Sequence, residues 1–366
     1  MAAHAGPGYL AAQTAALESQ TPVPPSQARA AQIPLQNFNL PTFPPESFTA
    51  GLTALILTAD IKLDDYTSIL EAPFSVPELP ASITSLTLEL FSLGYPPGFL
   101  NSLGKVLPNL KALTLYSQLF AGTTPQSQED AVSFIKEASQ LQEVHILDVF
   151  APPGVLTSIS DAFSPALRFL EVSYTYRHSD PNFLASLNAK EVAGLVRGDL
   201  VALTMAVGAP DVTADEEDRE GTEVGVKPVG GKDARDVVGK LVSEGKGLVM
   251  LDATMFELGV KDVEKLLEAC GKLKVLNLTV VLEGGWNELL GVLGGKLAGV
   301  EALEVVGVPG EELVEKLKGG EELQLSKQKL EKLSATSAAL KSVKTSILRT
   351  NVEQWVHNGG SWKKTT

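Results

Sequence analysis

The stretch Leu107-Pro-Asn-Leu110-Lys-Ala-Leu113-Thr-Leu115-Tyr116 decides how the rest of this 366-residue chain is read. Its leucines at 110, 113 and 115 have the spacing L-x-x-L-x-L. Side chains of a strand alternate between its two faces, so this spacing sends one aliphatic row inward and turns Ala112, Thr114 and Tyr116 outward. Any half-buried strand can carry the pattern once. Its weight comes from recurrence.

Upstream the spacing appears as Leu52-Thr-Ala-Leu55-Ile-Leu57 and Ile83-Thr-Ser-Leu86-Thr-Leu88. Downstream come Leu141-Gln-Glu-Val144-His-Ile146, Leu167-Arg-Phe-Leu170-Glu-Val172 and Leu200-Val-Ala-Leu203-Thr-Met205. Leu248-Val-Met-Leu251-Asp-Ala253, Leu273-Lys-Val-Leu276-Asn-Leu278 and Val300-Glu-Ala-Leu303-Glu-Val305 complete nine copies. Their first positions are 31, 27, 31, 26, 33, 48, 25 and 27 residues apart, a period near 28 with one insertion.

Helical spacing fills most of the gaps. Phe99, Leu100, Leu103 and Val106 share a face, as do Val132, Ile135 and Ala138 behind a candidate N-cap at Ser127, with Asp130 three residues on. Val155, Leu156, Ile159 and Phe163 repeat the spacing, and so do Val237, Val238 and Leu241, then Val263, Leu266 and Leu267, then Leu289, Leu290 and Leu293. A strand–helix unit this short cannot bury its own apolar face and must stack on its neighbours.

With these residues in view, the chain resembles the leucine-rich repeat family, in the longer variety with an outer helix found in ribonuclease-inhibitor-like and F-box-associated repeats. The resemblance covers roughly residues 52 to 310. It implies an α/β repeat solenoid: a right-handed horseshoe with a parallel sheet on the concave face and helices on the convex face. The sequence departs from the family at the ninth repeat position, where an Asn or Cys ladder is expected. Asp60, Phe91, Gln118, Val149, Thr175, Gly208, Phe256, Val281 and Val308 stand there instead. Irregular turns are the expectation.

Outside the copies, composition sets the boundaries. Residues 1–35 are rich in Ala, Gln, Pro and Ser, bury too little apolar surface to offset ordering entropy, and read as a disordered tail. The repeat domain is expected over 36–310, with an extended N-terminal cap around Phe38, Phe43 and Phe48 and an acidic loop insertion at 207–233. Leu330, Leu333, Leu340, Val343 and Ile347 keep an apolar stripe that reads as a helical C-terminal cap within 311–350, followed by a tail at 351–366.

Charge and composition exclude several functions. A net charge of −14 is wrong for a nucleic-acid groove or an anionic membrane surface and suits a basic protein partner. No run of 18 apolar residues is present, and Arg29 is the only Lys or Arg among the first 61 residues, so neither a membrane span nor a basic leader is expected. The single cysteine, Cys270, lies at helical spacing from Leu266 and Leu267 and reads as a buried thiol in a reducing, cytoplasmic or nuclear setting. No His/Cys cluster with metal-ligand spacing exists, and Gly225-Val-Lys-Pro-Val-Gly-Gly-Lys232 has one residue too many before the lysine of a phosphate loop and Asp233 where Ser or Thr should follow. Neither a metal, a cofactor nor a catalytic residue is expected.

The informative residues are then those that strands turn outward between the leucines. Among them are Glu89, Tyr116, Glu143, His145, Phe169, Glu171, Asp252 and Glu304, all acidic where charged apart from His145. Tyr174 and Tyr176, beside Arg177 and His178, form the densest aromatic and polar cluster just past the fifth copy. These ten are the candidate partner-binding residues. Carboxylates around aromatic anchors fit a basic protein or peptide, bound by a non-enzymatic scaffold that is monomeric when free. The resemblance adds a regulator of an enzyme or GTPase as an alternative. It adds a ubiquitin-ligase substrate receptor too, although Leu40-Pro41 is not followed by an F-box pattern. An enzyme using Glu143, His145 and Glu171 on adjacent strands is the remaining reading.

Overall fold

The computed structural model describes residues 29–34, 51–58, 66–89, 94–116, 119–149, 151–175, 189–208, 230–318, 323, 325–348, 350–358 and 360–365. They fall into two compact units divided between Thr175 and Tyr176. In the first unit, strands β1 (Arg29–Pro34), β2 (Leu52–Thr58), β3 (Ser85–Glu89), β4 (Ala112–Tyr116), β5 (Glu143–Leu147) and β6 (Phe169–Thr175) pair in chain order, all parallel. Between them lie α1 (Tyr66–Glu71), α2 (Phe99–Val106), α3 (Pro125–Glu137) and α4 (Val155–Ala162). The second unit carries α5 (Ala189–Gly194), β7 (Ala202–Gly208), α6 (Gly231–Glu244), β8 (Met250–Gly259), α7 (Val260–Ala269), β9 (Val275–Leu282), α8 (Trp286–Leu293) and β10 (Ala302–Pro309). It ends with α9 (Glu311–Lys318), α10 (Lys327–Thr336), β11 (Ser342–Ile347), β12 (Thr350–Asn358) and β13 (Ser361–Lys364).

All nine L-x-x-L-x-L copies lead into strands, and their aliphatic positions are the core. Leu86 and Leu88, Leu113 and Leu115, and Val144 and Ile146 are buried, while the residues between them are half-exposed. One turn recurs ahead of the strands: the N–H at the first position donates to the carbonyl three residues earlier. Leu110 bonds Leu107, Leu141 bonds Ala138, Leu167 bonds Ser164, Leu248 bonds Gly245, Leu273 bonds Cys270 and Val300 bonds Leu297. Cys270 thus occupies a structural position shared by every such layer. Burial pushes its thiol up to about 11, as expected of an inert core sulfur.

Stacking needs bonds between layers, and one set recurs ahead of the strands. The Lys111 carbonyl accepts two N–H groups from the next layer, Gln142 at 2.8 Å and Glu143 at 3.0 Å. Lys274 does the same for Glu301 at 2.8 Å and Ala302 at 3.1 Å. Side chains reinforce the pattern in the first unit. Asn109 Nδ2 donates to the Ala81 carbonyl at 2.9 Å, Gln140 Nε2 to Pro108 at 3.1 Å and Ser164 Oγ to Ser139 at 2.6 Å. Such bonds do the work expected of the missing Asn ladder. Asp130 adds another link. Helix α2 starts from Gly98 at φ 88°, which has no side chain to cap it, and Asp130 of α3 accepts from Leu100 N–H at 3.0 Å and Asn101 N–H at 2.9 Å.

Several boundaries differ from the sequence expectation. The N-cap of α3 is Thr124, whose Oγ1 accepts from Ser127 N–H at 3.2 Å; Ser127 is the capped residue because Pro125 starts the helix. Residues 29–34 of the expected tail form strand β1, whereas the cap at 36–50 lies outside the described residues. The insertion is narrower than 207–233: β7 runs to Gly208 and α6 starts at Gly231, with 209–229 outside the described residues. The largest correction is at the C-terminal end. Leu340-Lys-Ser-Val343-Lys-Thr345 is a tenth layer, with the Leu340 N–H donating to Ser337 and β11 parallel to β10. Residues 350–358 and 361–364 pair as antiparallel strands rather than forming a tail. The pair is held because Trp362 is buried, its Nε1 donates to Ser334 Oγ of α10 at 3.2 Å, and Trp355 is buried opposite Val343. Among the described residues, no helix is long and apolar enough to cross a membrane.

Candidate functional site

Parallel register turns the outward positions of the first unit into a grid. Glu143 faces Phe169 and Ala112, His145 faces Glu171 and Thr114, and Leu147 faces Ser173 and Tyr116. Glu89 lies in register with Tyr116 on the far side of β4. Strands are about 4.8 Å apart, and alternate residues on one strand share a face. His145 is therefore next to Glu143 along its own strand and next to Glu171 across the ladder.

The contacts follow from that placement. His145 Nε2 lies 2.7 Å from Glu143 Oε1, and Nδ1 lies 2.7 Å from Glu171 Oε2. An ionised carboxylate only accepts, so both ring nitrogens donate and the ring is an imidazolium. Burial works against that charge, but the hydrogen bonds and charges of the two carboxylates outweigh it and raise the His145 pKa to about 9. The trio keeps a single net negative charge. The His145 side chain is 12% exposed, Glu171 15% and Glu143 35%, so Glu143 presents the carboxylate most open to a partner. Half-exposed Tyr116, Leu147 and Phe169 surround the trio.

The other sequence candidates sit elsewhere or do something else. Tyr174 is a correction: it is buried at 1% exposure, and its hydroxyl donates to the Val149 carbonyl at 3.1 Å. Strand β6 extends past Val172, so strict alternation points Tyr174 to the same side as Leu170 and Val172. Tyr176 lies outside the described residues, as do Arg177 and His178.

In the second unit the outward positions are largely closed, with Met250, Val275, Asn277, Thr279 and Val306 buried. Asp252 accepts from Thr254 N–H at 3.0 Å, Thr254 Oγ1 at 2.7 Å and Asn277 Nδ2 at 3.0 Å. These bonds hold a bulge where β8 has three more residues than β9 between Ala253 and Glu257. Burial raises the Asp252 pKa in spite of them, and the nearby Glu304 adds to the rise. Glu304 itself accepts from Lys344 Nζ at 2.8 Å. Lys344 on β11 was hidden by the helical reading of that segment, and it removes the expectation of a face charged only by acids. Reading Leu340 as a layer start would have placed it there. Among the described residues, no group of three His, Cys, Asp or Glu is arranged to hold a metal ion.

Stacked parallel strands with buried L-x-x-L-x-L rows and outer helices make each unit an α/β repeat solenoid of the leucine-rich-repeat type. No family model matches the sequence, and no curated protein matches it. Among solved structures, the chain is similar to the leucine-rich repeat-containing protein LegL7 from Legionella pneumophila, at 13% identity and a TM-score of 0.45, over 87% of this chain and 91% of that one. It is also similar to an internalin, InlF, from Listeria monocytogenes, at 12% identity and a TM-score of 0.37, over 82% of this chain and 77% of that one.

Proposed function

We propose that this protein is a non-catalytic interaction scaffold, and that the outward sheet face of its first unit holds a basic protein or peptide. The observation that carries the reading is the Glu143–His145–Glu171 trio, a net negative centre bordered by Tyr116, Leu147 and Phe169. A partially desolvated carboxylate beside aromatic rings offers an arginine side chain both an ion pair and a ring to stack on. The second unit supports the choice of the first, since its outward positions Met250, Val275, Asn277, Thr279 and Val306 are buried.

The same geometry disfavours catalysis by the trio. A histidine that donates from both nitrogens has no lone pair with which to take a proton, and a pKa near 9 keeps it so at neutral pH. The test is binding of an arginine-rich peptide at physiological ionic strength. Two partly exposed ion pairs at roughly 1 kcal/mol each correspond to about a thirtyfold loss on replacing both Glu143 and Glu171 by Gln. Unchanged affinity in that double variant sinks the reading, as does turnover of any substrate lost on His145→Ala alone.

A further inference from the structure

Glu143 and Glu171 already have a cation. Each has one oxygen 2.7 Å from a nitrogen of the same ring, and with both acids ionised the hydrogens of those contacts lie on the two nitrogens. His145 is thus a resident counter-cation, placed by register and alternation between two acids that would otherwise repel each other. Across β4 the ring faces Thr114, with Ala112 and Tyr116 on either side; across β6 it faces Glu171, with Phe169 and Ser173 on either side. Its own strand adds Glu143 and Leu147. Among the described residues of these strands, the titratable groups facing the ring are therefore Glu143, Glu171 and Tyr116.

We propose that a basic segment docks here by proton exchange: an arginine guanidinium takes over Glu143 and Glu171, and His145 releases its proton to solvent. The proposal rests on the basic-partner reading above. Charge is conserved in the exchange. Before docking, two carboxylates and an imidazolium sum to one negative charge; afterwards two carboxylates, a guanidinium and a neutral ring give the same sum. The bond that breaks is one ring N–H, its electron pair stays on the nitrogen, and the proton goes to water. Docking without release would pack two cations against the same pair of acids, with the ring only 12% exposed and poorly screened.

The linkage has a size. With the His145 pKa near 9, the deprotonated, docking-ready form is about one part in a hundred at pH 7. Affinity for a guanidinium should then rise about tenfold per pH unit and level off above about pH 9. Arginine keeps its charge throughout that range, so the probe does not titrate.

The experiment is calorimetric titration of the full chain with an N-acetylated hexa-arginine peptide between about pH 7 and pH 9.5 at fixed ionic strength, repeated in buffers of differing ionisation enthalpy. Near pH 7.5 about one proton should be released per peptide bound. His145→Gln should bind with little dependence on pH, at the affinity the wild type reaches near pH 9.5. Flat affinity with no proton release, while Glu143→Gln with Glu171→Gln still weakens binding by about thirtyfold, overturns the exchange and leaves the docking face standing. Failure to bind at any pH overturns both. The wild-type pH series and proton count need no variant, so a misfolded His145→Gln protein cannot rescue the proposal.

Discussion

Replacing Asp130 by Ala should destabilise the first unit by about 2 kcal/mol, and replacing it by Asn by less than half as much. The Asp130 side chain leaves α3 and caps α2, accepting from Leu100 N–H at 3.0 Å and Asn101 N–H at 2.9 Å from a residue only 7% exposed. Alanine leaves the buried Leu100 donor without an acceptor, at roughly 1–3 kcal/mol before relaxation, and the half-buried Asn101 donor to water at less. Part of that loss is returned, because alanine also removes a charge that was costly to bury. Burial in fact outweighs the backbone hydrogen bonds and raises the Asp130 pKa above the usual carboxylate value. Asparagine keeps one acceptor and has no charge to desolvate.

The sign with pH follows from the same balance. A carboxyl with a raised folded pKa binds its proton more tightly when folded, so its ionisation penalty is present above that pKa and vanishes as pH falls below the unfolded value near 3.9. Wild type should therefore gain on Asp130→Asn as pH is lowered from 7 towards about 4. Urea melts followed by circular dichroism, compared at constant slope, measure both effects. Equal midpoints for the Ala and Asn variants would refute the cap. A gap between wild type and Asn that stays constant or narrows on acidification would refute the burial argument.

Other expectations follow from the core and the trio. His145 should show no titration between about pH 6 and 8 by NMR of its ring, and its contribution to stability, complete below about pH 6.5, should be lost as pH rises through about 9; a midpoint near 6.5 would contradict the clamp. Leu113→Ala removes a side chain with 0% exposure and should cost about 2–5 kcal/mol in a urea melt, so a change under about 1 kcal/mol would show that the layer repacks or that Leu113 is not core. Trp362→Ala should expose β12 and β13 to hydrogen exchange while leaving β4 protected, and equal protection in both places would show that the hairpin is not anchored by its tryptophan. Cys270 should react with thiol reagents only after unfolding, since burial pushes its thiol up to about 11 and its Sγ points at the Leu241 carbonyl 3.6 Å away; rapid native labelling would contradict this.

The fold was legible wherever a strand kept three aliphatic positions in a row. Leu110, Leu113 and Leu115 are interchangeable with their counterparts in eight other copies, so noise in any one copy was averaged out. The tenth layer was not found because Thr345 replaces the last aliphatic residue and 40 residues separate Val300 from Leu340. Helical spacing across Leu330, Leu333 and Leu340 then joined a real helix to a real strand through the turn between them. The hairpin had a local signal in Asn358-Gly359-Gly360, a hairpin-type turn between two tryptophan-bearing segments. Of the candidate site, the meeting of Glu143, His145 and Glu171 followed from repeat register alone. What register could not supply was the partner of each acid: Asp252 and Glu304 are engaged by Thr254, Asn277 and Lys344, residues whose roles depend on a bulge and on a layer the pattern did not show.

Strand β12 runs opposite to β11, and that reversal limits how such a chain can change in evolution. A repeat array grows or shrinks by duplicating or deleting whole layers, since each layer presents to the next the same parallel edge that it received from the one before. The edge of β11 is instead taken by a strand of the wrong polarity, sealed from behind by Trp362 on Ser334. Another parallel layer has no place to dock there. Length variation must arise upstream, between layers whose carbonyls at Lys111 or Lys274 meet each successor in the same way, and relatives with more or fewer repeats should keep a Leu340-like layer and its hairpin together as one inherited piece.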